Sequence, residues 1–304
     1  MQYFIIDAIA PFFTVCPPHS EQNWSKIPFS ALESSGRLDP NKRVAVESSF
    51  SYYCARVASM GFNAISLDDV AHVADLDCYN QGLRQKIADY QEWYSRLIRI
   101  ASGCGLRVFL TTDFMFMNED IRRSIGSRPS RLMRLCLRVF RQVLKRYEGV
   151  AGIVVRIGEA DGMDVQGDFA SQLQIRTPGH CRRFLKTVLP LFERHDRLLV
   201  MRTWTLGAYR IGDLMWNRDT WEAAFRGIDS DHFIISCKYG EGDFQKFLSF
   251  NPLLQEYPQR KILELQTRRE YEGFGEFPSF VGYDYERYRH YIDGCHNIAG
   301  IMVW

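Results

Sequence analysis

The 304-residue chain lacks the marks of several large protein classes. Its eight cysteines include no CxxC pair, so neither a zinc ribbon nor a disulfide scaffold is expected. We expect the cysteines to be reduced thiols in the core. No stretch of about 18 apolar residues is present, so no transmembrane helix is predicted. The seven histidines form no HxH or HExxH motif, which argues against a metal-dependent enzyme. The formal net charge of +2 gives no reason to expect nucleic-acid binding.

The amino terminus also lacks the pattern of a secretory signal. Residues 1–16 are apolar, but they include Asp7 and have no leading lysine or arginine, so we interpret them as containing a β-strand. A cytoplasmic location is therefore expected. The composition, with 46% hydrophobic and 24% charged residues, is that of a chain with a large core.

Acidic residues are absent from residues 121 to 147. Cations recur there three and four residues apart, on one face of a predicted helix. One interpretation is a solvated face on the outside of the fold, and the other is a docking surface for a neighbouring domain, a second subunit or an anionic polymer. The cations are Arg131, Arg134, Arg138, Arg141 and Lys145.

Eight strand-like stretches alternate with helix-like stretches along the chain. This alternation predicts a parallel sheet, and eight such strands predict a single (β/α)8 TIM barrel that spans residues 1–304. The predicted helices cover 50–59, 83–101, 132–147, a segment from 178, 219–226 and 285–293. The predicted strands are 3–9, 63–67, 107–112, 152–157, 198–202, 233–238, a seventh from 262, and 299–304.

No helix signal follows the eighth strand, so we expect either that the barrel lacks its last helix or that the chain is cut from a longer protein. The apolar side of Ile301 and Val303 would then face water. We expect neighbouring sequence, a partner such as a second copy, or the loop after the first strand to cover it. The chain is on this view a module of a longer protein or a subunit of an oligomer.

The seventh strand has the pattern of a barrel strand. Leu263 and Leu265 alternate with Glu264, Gln266 and Arg268, so the leucines and the polar residues lie on opposite faces. We expect the leucines to pack against outer helices and the polar side chains to point into the barrel.

Polar side chains stand at the carboxyl ends of most predicted strands. In a barrel these ends meet at one mouth, where catalytic residues lie. Carboxylates interleaved with aromatic residues suit sugar hydrolysis, because one acid protonates the leaving oxygen and another carboxylate activates water or attacks. The residues are Asp7, Asp68, Asp69, Asp113, Glu159, Asp161, Arg202, Trp204, Lys238, Asp243 and Glu270.

Two segments resemble the glycoside hydrolase family 67 α-glucuronidases. Residues 237–245 read CKYGEGDFQ, and residues 263–273 read LELQTRREYEG. The resemblance implies that Asp243 and Glu270, which are 27 residues apart, are the paired base carboxylates of an inverting enzyme that needs no cofactor.

The same resemblance assigns further residues of the chain. It implies that Glu159, which follows strand four, is the general acid, and that Arg202 on strand five binds the carboxylate of a uronic acid. The family has a lysine shortly before the acid that is out of register here, and Arg156 is the candidate substitute. The predicted substrate-binding residues are Arg202, Trp204, Lys238, Asp68, Asp113, Arg156 and Trp304.

Each assignment has a structural alternative. Asp243 would cap a following helix, and Glu270 would pair with Arg268 or Arg269. Glu264, if buried, needs a cationic partner, which Arg156, Arg202 or Lys238 would supply. The two tryptophans would be packing residues, and the aspartates would anchor loops. At the level of the whole chain, the alternatives are a glycosidase of different sugar specificity and a non-catalytic carbohydrate-binding barrel. Three carboxylates at strand ends favour the enzyme.

Overall fold

In a computed structural model of the chain, eight parallel strands close into one barrel in which chain neighbours are also spatial neighbours. The structure describes residues 1–16, 26–126, 128–158, 167–205, 210–245, 248–267 and 281–304. The predicted (β/α)8 barrel is confirmed. Its strands are β1 (Tyr3–Asp7), β2 (Ala64–Leu67), β3 (Arg107–Asp113), β4 (Val150–Arg156), β5 (Leu198–Arg202), β6 (Phe233–Lys238), β7 (Lys261–Leu265) and β8 (Ile298–Val303).

Helices connect successive strands on the outside of the barrel. Several begin at a side-chain cap: Asn80 accepts a hydrogen bond from the amide of Leu83, and Thr177 accepts one from the amide of His180. The helices are α1 (Pro40–Ser59), α2 (Gln81–Gly103), α3 (Glu119–Ile125), α4 (Pro129–Arg146), α5 (Pro178–His195), α6 (Arg218–Phe225), α7 (Leu253–Glu256) and α8 (Gly282–Ile292).

The first helix begins ten residues earlier than the predicted start at residue 50. Asp39 accepts hydrogen bonds from the amides of Asn41 and Lys42, and Pro40 occupies the first turn. Both features start a helix, because the cap satisfies free amides and proline has no amide to satisfy. The prediction was wrong here because residues 40–49 have no clear apolar period.

Side chains alternate between the inside of the barrel and the outer helices. The interior holds an apolar cluster that includes Ile5, Val154, Val200 and Ile262. Leu263 and Leu265 instead belong to the outer core, as predicted from the alternation. Glycine is required at two places in the wall, because a Cβ on Gly152 or Gly300 would overlap a backbone carbonyl of the adjacent strand.

The outer side of β8 is covered to a large degree. Val303 is 4% exposed and belongs to the outer core, and Ile301 is partly buried against that core. None of the described helices is long and apolar enough to cross a membrane.

Candidate active site

A polar layer lies on the apolar interior at the carboxyl ends of the strands. It follows from the period of two, since a residue two positions after an interior residue lies on the same face. Arg156 follows Val154, Arg202 follows Val200, and Glu264 follows Ile262 in this way. The same alternation brings six of the seven predicted substrate-binding residues to the mouth: Asp68, Asp113, Arg156, Arg202, Lys238 and Trp304.

A buried ion pair joins β5 to β7 across the mouth. Arg202 donates from Nε to Oε1 of Glu264 at 3.1 Å and from Nη2 to Oε2 at 2.8 Å. The hydroxyl of Ser236, on the intervening strand, donates to Oε1 at 2.7 Å. The side chains of Arg202 and Glu264 are 3% and 0% exposed. Of the three cations considered as partners of Glu264, Arg202 is the one in direct contact.

The ion pair sets the charge state of Glu264 and the position of an indole. Burial acts to raise the pKa of Glu264, but the Arg202 guanidinium, with Lys238 and Ser236, outweighs it, and the pKa lies below its ordinary value. The guanidinium carbon of Arg202 lies 3.9 Å from the centre of the Trp304 ring. This cation–π contact covers one face of the Trp304 ring and holds the ring in place.

Lys238 lies in a cage of aromatic rings beside Asp243. Its ammonium is 3.8 Å from the ring centre of Trp204 and 4.3 Å from that of Phe244. It forms an ion pair with the carboxylate of Asp243, which also accepts a hydrogen bond from the amide of Phe244 at 2.9 Å. Trp204, the seventh predicted substrate-binding residue, therefore also reaches this group.

Asp243 does not cap a helix in the part of the chain that the structure describes. Residues 244–245 and 248–250 are not helical, and the next helix begins at Leu253. This alternative was wrong because the carboxylate is engaged by Lys238 and by the neighbouring amide of Phe244.

Arg156 lies between two aspartates at the ends of β2 and β3. Its Nη2 is 2.7 Å from Oδ1 of Asp68, and its Nε is 2.7 Å from Oδ1 of Asp113. Asp113 also forms an ion pair with Lys26 and accepts a hydrogen bond from the hydroxyl of Ser171. Arg156 is 1% exposed, so it is an internal link of the mouth.

Lys26 is a member of the site that sequence reasoning missed. It belongs to the long loop after β1, and no strand-end pattern marks it. Its ammonium lies 3.2 Å from Oγ of Ser171 and contacts Asp113, which is 87 positions away in the sequence. Contacts over this separation leave no local sequence signal.

Asp69 takes the alternative role of a loop anchor. Its Oδ1 accepts a hydrogen bond from the amide of Ala71 at 3.1 Å and caps the short 3₁₀ helix Val70–His72. Asp7 contributes its backbone carbonyl, which accepts a hydrogen bond from the hydroxyl of Tyr53.

Several predicted residues lie outside the described part of the chain. They are Glu159, Asp161, Arg268, Arg269 and Glu270. The predicted meeting of Glu159, Asp243 and Glu270 at one mouth, and the separation of acid and base, therefore stay predictions. Among the described residues, no group of three or more His, Cys, Asp or Glu side chains is arranged to hold a metal ion.

The described cations of the mouth all have carboxylate partners. Lys26 pairs with Asp113, Arg202 with Glu264 and Lys238 with Asp243, while Arg156 contacts two aspartates. Partner contacts of this kind offset the cost of burying the charges. The mouth thus combines carboxylates, cations held in ion pairs and the rings of Trp204 and Trp304.

Comparison with known proteins finds similar barrels in solved structures of glycoside hydrolases. No family model and no curated protein matches the chain. A GH138 enzyme targeting pectin rhamnogalacturonan II matches with a TM-score of 0.57 and 14% identity over 89% of this chain and 33% of that one. A GH5_18 enzyme from Streptomyces cattleya, in complex with Manb1-4GlcNAc, matches with a TM-score of 0.55 and 12% identity over 85% of this chain and 65% of that one.

A third structure, CpGH84B, matches with a TM-score of 0.50 and 9% identity over 84% of this chain and 42% of that one. The chain spans about a third of the GH138 enzyme and less than half of CpGH84B. At such identities the likeness shows the (β/α)8 fold.

Asp68 should give the stability of the protein a distinctive pH dependence. Burial raises its pKa to about 6, against the opposing charge of Arg156. Because its pKa in the folded state is higher than the value of about 3.9 in the unfolded state, protonation of Asp68 stabilises the fold. This contribution is complete below about pH 3.9 and is lost as the pH rises through about 6. The contribution is roughly 2–3 kcal/mol. We expect Asp68→Asn to remove this fall, as measured by urea unfolding across that pH range.

His72 supplies the matched control, because it acts in the opposite direction. It is stacked on Phe29, and burial lowers its pKa to about 4. The neutral imidazole of His72 therefore stabilises the fold. This contribution is complete above the pKa of the unfolded state, about 6.5, and is lost as the pH falls through about 4. His72→Phe should therefore change the slope with the opposite sign to Asp68→Asn. An Asp68→Asn variant with the wild-type slope would contradict the assignment of this carboxyl.

Proposed function

We propose that the chain is a glycoside hydrolase that acts on oligosaccharides from polysaccharide breakdown. The observation that carries the proposal is the composition of the mouth, where the carboxylates of Asp243 and Glu264 each pair with a cation that lies against an indole ring, that of Trp204 or Trp304. Glycoside hydrolysis needs carboxyl groups for proton transfer, and flat apolar rings suit the C–H faces of sugars. The barrels of the three glycoside hydrolase structures are compatible with this chemistry.

The finer proposal is an inverting, α-glucuronidase-like reaction. Glu159 donates a proton to the leaving oxygen, while Asp243 and Glu270 together hold and deprotonate a water on the opposite face of the sugar. The described residues support this proposal at Asp243, because its carboxylate is held in position by Lys238 and by the amide of Phe244. Inverting enzymes keep their acid and base carboxyls about 6.5–9.5 Å apart, which leaves room for that water.

The proposal predicts the effect of removing each catalytic carboxyl. Glu159→Gln and Asp243→Asn should each lower kcat by roughly 10²–10⁴ on the best substrate of a panel of uronate-bearing oligosaccharides, because each removes a proton-transfer group. Proton NMR of the first-formed product should show the inverted anomeric configuration.

Glu241→Gln is the control, since this exposed glutamate lies in the same loop two residues before Asp243. It should leave kcat within about twofold of the wild type, as expected for a surface change away from the chemistry. A product with retained configuration would contradict inversion. Sugar binding without any hydrolysis would show instead a carbohydrate-binding barrel.

One observation favours a second candidate, a glycosidase for a neutral sugar. Glu264 already takes two of the five N–H donors of Arg202 in a two-point contact. On this reading, Arg202 serves as the partner of Glu264 and holds Trp304, with no direct role in recognising a uronate.

The uronate candidate predicts that Arg202 discriminates between charged and neutral substrates. Arg202→Ala should cost about 2–4 kcal/mol more in transition-state stabilisation on a uronate than on the corresponding neutral hexoside, since a guanidinium binds a carboxylate at two points. The measurement is the ratio of kcat/KM for the two substrates, which is independent of the fraction of active protein. Equal losses on both substrates would favour the second candidate.

A further inference from the structure

Two neighbouring helices on the outside of the barrel carry a large excess of positive charge. Of the 38 lysines and arginines in the chain, ten lie on α4 and α5, and of the 36 aspartates and glutamates, only Glu193 does. These two helices thus carry a formal charge of +9, and the remainder of the chain carries −7. The chain therefore has a small net charge but a strongly asymmetric distribution of charge.

The cations on these helices, apart from the half-buried Arg182, are exposed and mostly without acidic partners. Among the described residues, their one ion pair joins Arg138 to Asp77, an aspartate that is 84% exposed. Several cations elsewhere are paired, since Arg84 on α2 contacts Asp75, and Arg226, directly after α6, contacts Glu222. The basic face is defined here by Arg131, Arg134, Arg138, Arg141, Lys145, Arg183 and Lys186, all of which are exposed.

Packing fixes the direction of this face. The apolar sides of α4 and α5 are buried in the outer core and touch each other through Phe140 and Phe192, whose ring centres are 5.6 Å apart. The charged sides therefore point to solvent. From Arg131 to Lys145 the row on α4 extends roughly 21 Å at 1.5 Å per residue.

One end of the basic face lies near the barrel mouth, where the candidate active site is. Both helices follow strands of a (β/α)8 barrel and run back along its outside, so their amino-terminal turns lie at the mouth. Arg131 lies in the first turn of α4, and Arg183 lies in the second turn of α5. A chain lying along the helices would thus approach the mouth at one end.

We propose that the basic face binds a linear acidic polysaccharide, with a carboxylate on most of its sugars, and holds it beside the barrel mouth. Guanidinium groups bind carboxylates at two points, and a row of them suits a polymer with regularly repeated carboxylates. The charge of −7 on the rest of the molecule disfavours the approach of a broad anionic surface, such as a vesicle or a DNA duplex. A single narrow chain avoids this repulsion. The choice of a polysaccharide rests on the proposed function.

The test measures binding of polygalacturonate to the full chain by calorimetry at low and at high salt. Two variants remove a pair of charges from each row: Arg134→Gln with Arg141→Gln, and Arg183→Gln with Lys186→Gln. The control variant, Arg56→Gln with Arg289→Gln, removes two exposed cations from α1 and α8, on the far side of the barrel. Each basic-face pair should weaken binding about threefold to tenfold, and the control less than about twofold. Salt should weaken wild-type binding as well.

Several outcomes would overturn the proposal. They are an absence of polygalacturonate binding, an equal loss in the control variant, an unchanged affinity in either basic-face variant, or equal binding to duplex DNA or to anionic phosphatidylserine vesicles. The proposed function is tested separately, by hydrolysis of a short oligosaccharide that cannot reach the basic face. All three variants should keep wild-type rates on it, and a wild-type chain without hydrolysis would contradict the catalytic role while the binding result stands.

Discussion

The ion pair between Arg202 and Glu264 is the interaction on which the barrel mouth depends. It connects β5 and β7, and the Ser236 hydroxyl brings β6 into the same hydrogen-bonded group. Burying two charges is costly unless each is fully engaged, and here the guanidinium and the carboxylate meet at two points. Trp304 covers the guanidinium and takes its own position from it. One pair therefore orients four strand ends.

The other charges of the mouth follow the same rule. Lys238 balances Asp243 inside a cage of rings, and Arg156 lies between Asp68 and Asp113. Each side chain is held by its partners before any substrate arrives. Such fixed and buried charges are the environment in which developing charge is stabilised without reorganisation. The physical design fits the proposed glycoside hydrolysis, in which charge develops on the sugar ring and the leaving oxygen.

Much of the fold could be predicted from local patterns. The strand starting at Phe233 and the strand starting at Leu198 were predicted with their full observed bounds, because continuous apolar runs ending in polar residues are typical of buried parallel strands. The inward position of Glu264 followed from alternation with leucines. Its need for a cation also followed, although the sequence left three candidates for that partner.

The rest depends on contacts without a local signal. Lys26 reaches Asp113 from a loop far away in the sequence, and the aromatic cage around Lys238 joins Trp204 to Phe244 across two loops. Asp243 caps no helix among the described residues, because its carboxylate pairs with Lys238 at the end of the preceding strand. Position at the end of a strand identifies most of the residues that reach the mouth, but Lys26 and the pairing among these residues are decided by tertiary packing.

The most direct test of this account is a double-mutant cycle on Arg202 and Glu264, read as the free energy of unfolding in urea. The single variants Arg202→Met and Glu264→Leu should each cost about 3–5 kcal/mol, because each leaves a buried charge without its partner. The double variant, which removes both charges, should be less destabilised than the sum of the two by at least about 2 kcal/mol. Additive losses in the double variant would show that the two side chains act independently, and would contradict the central place given to this pair.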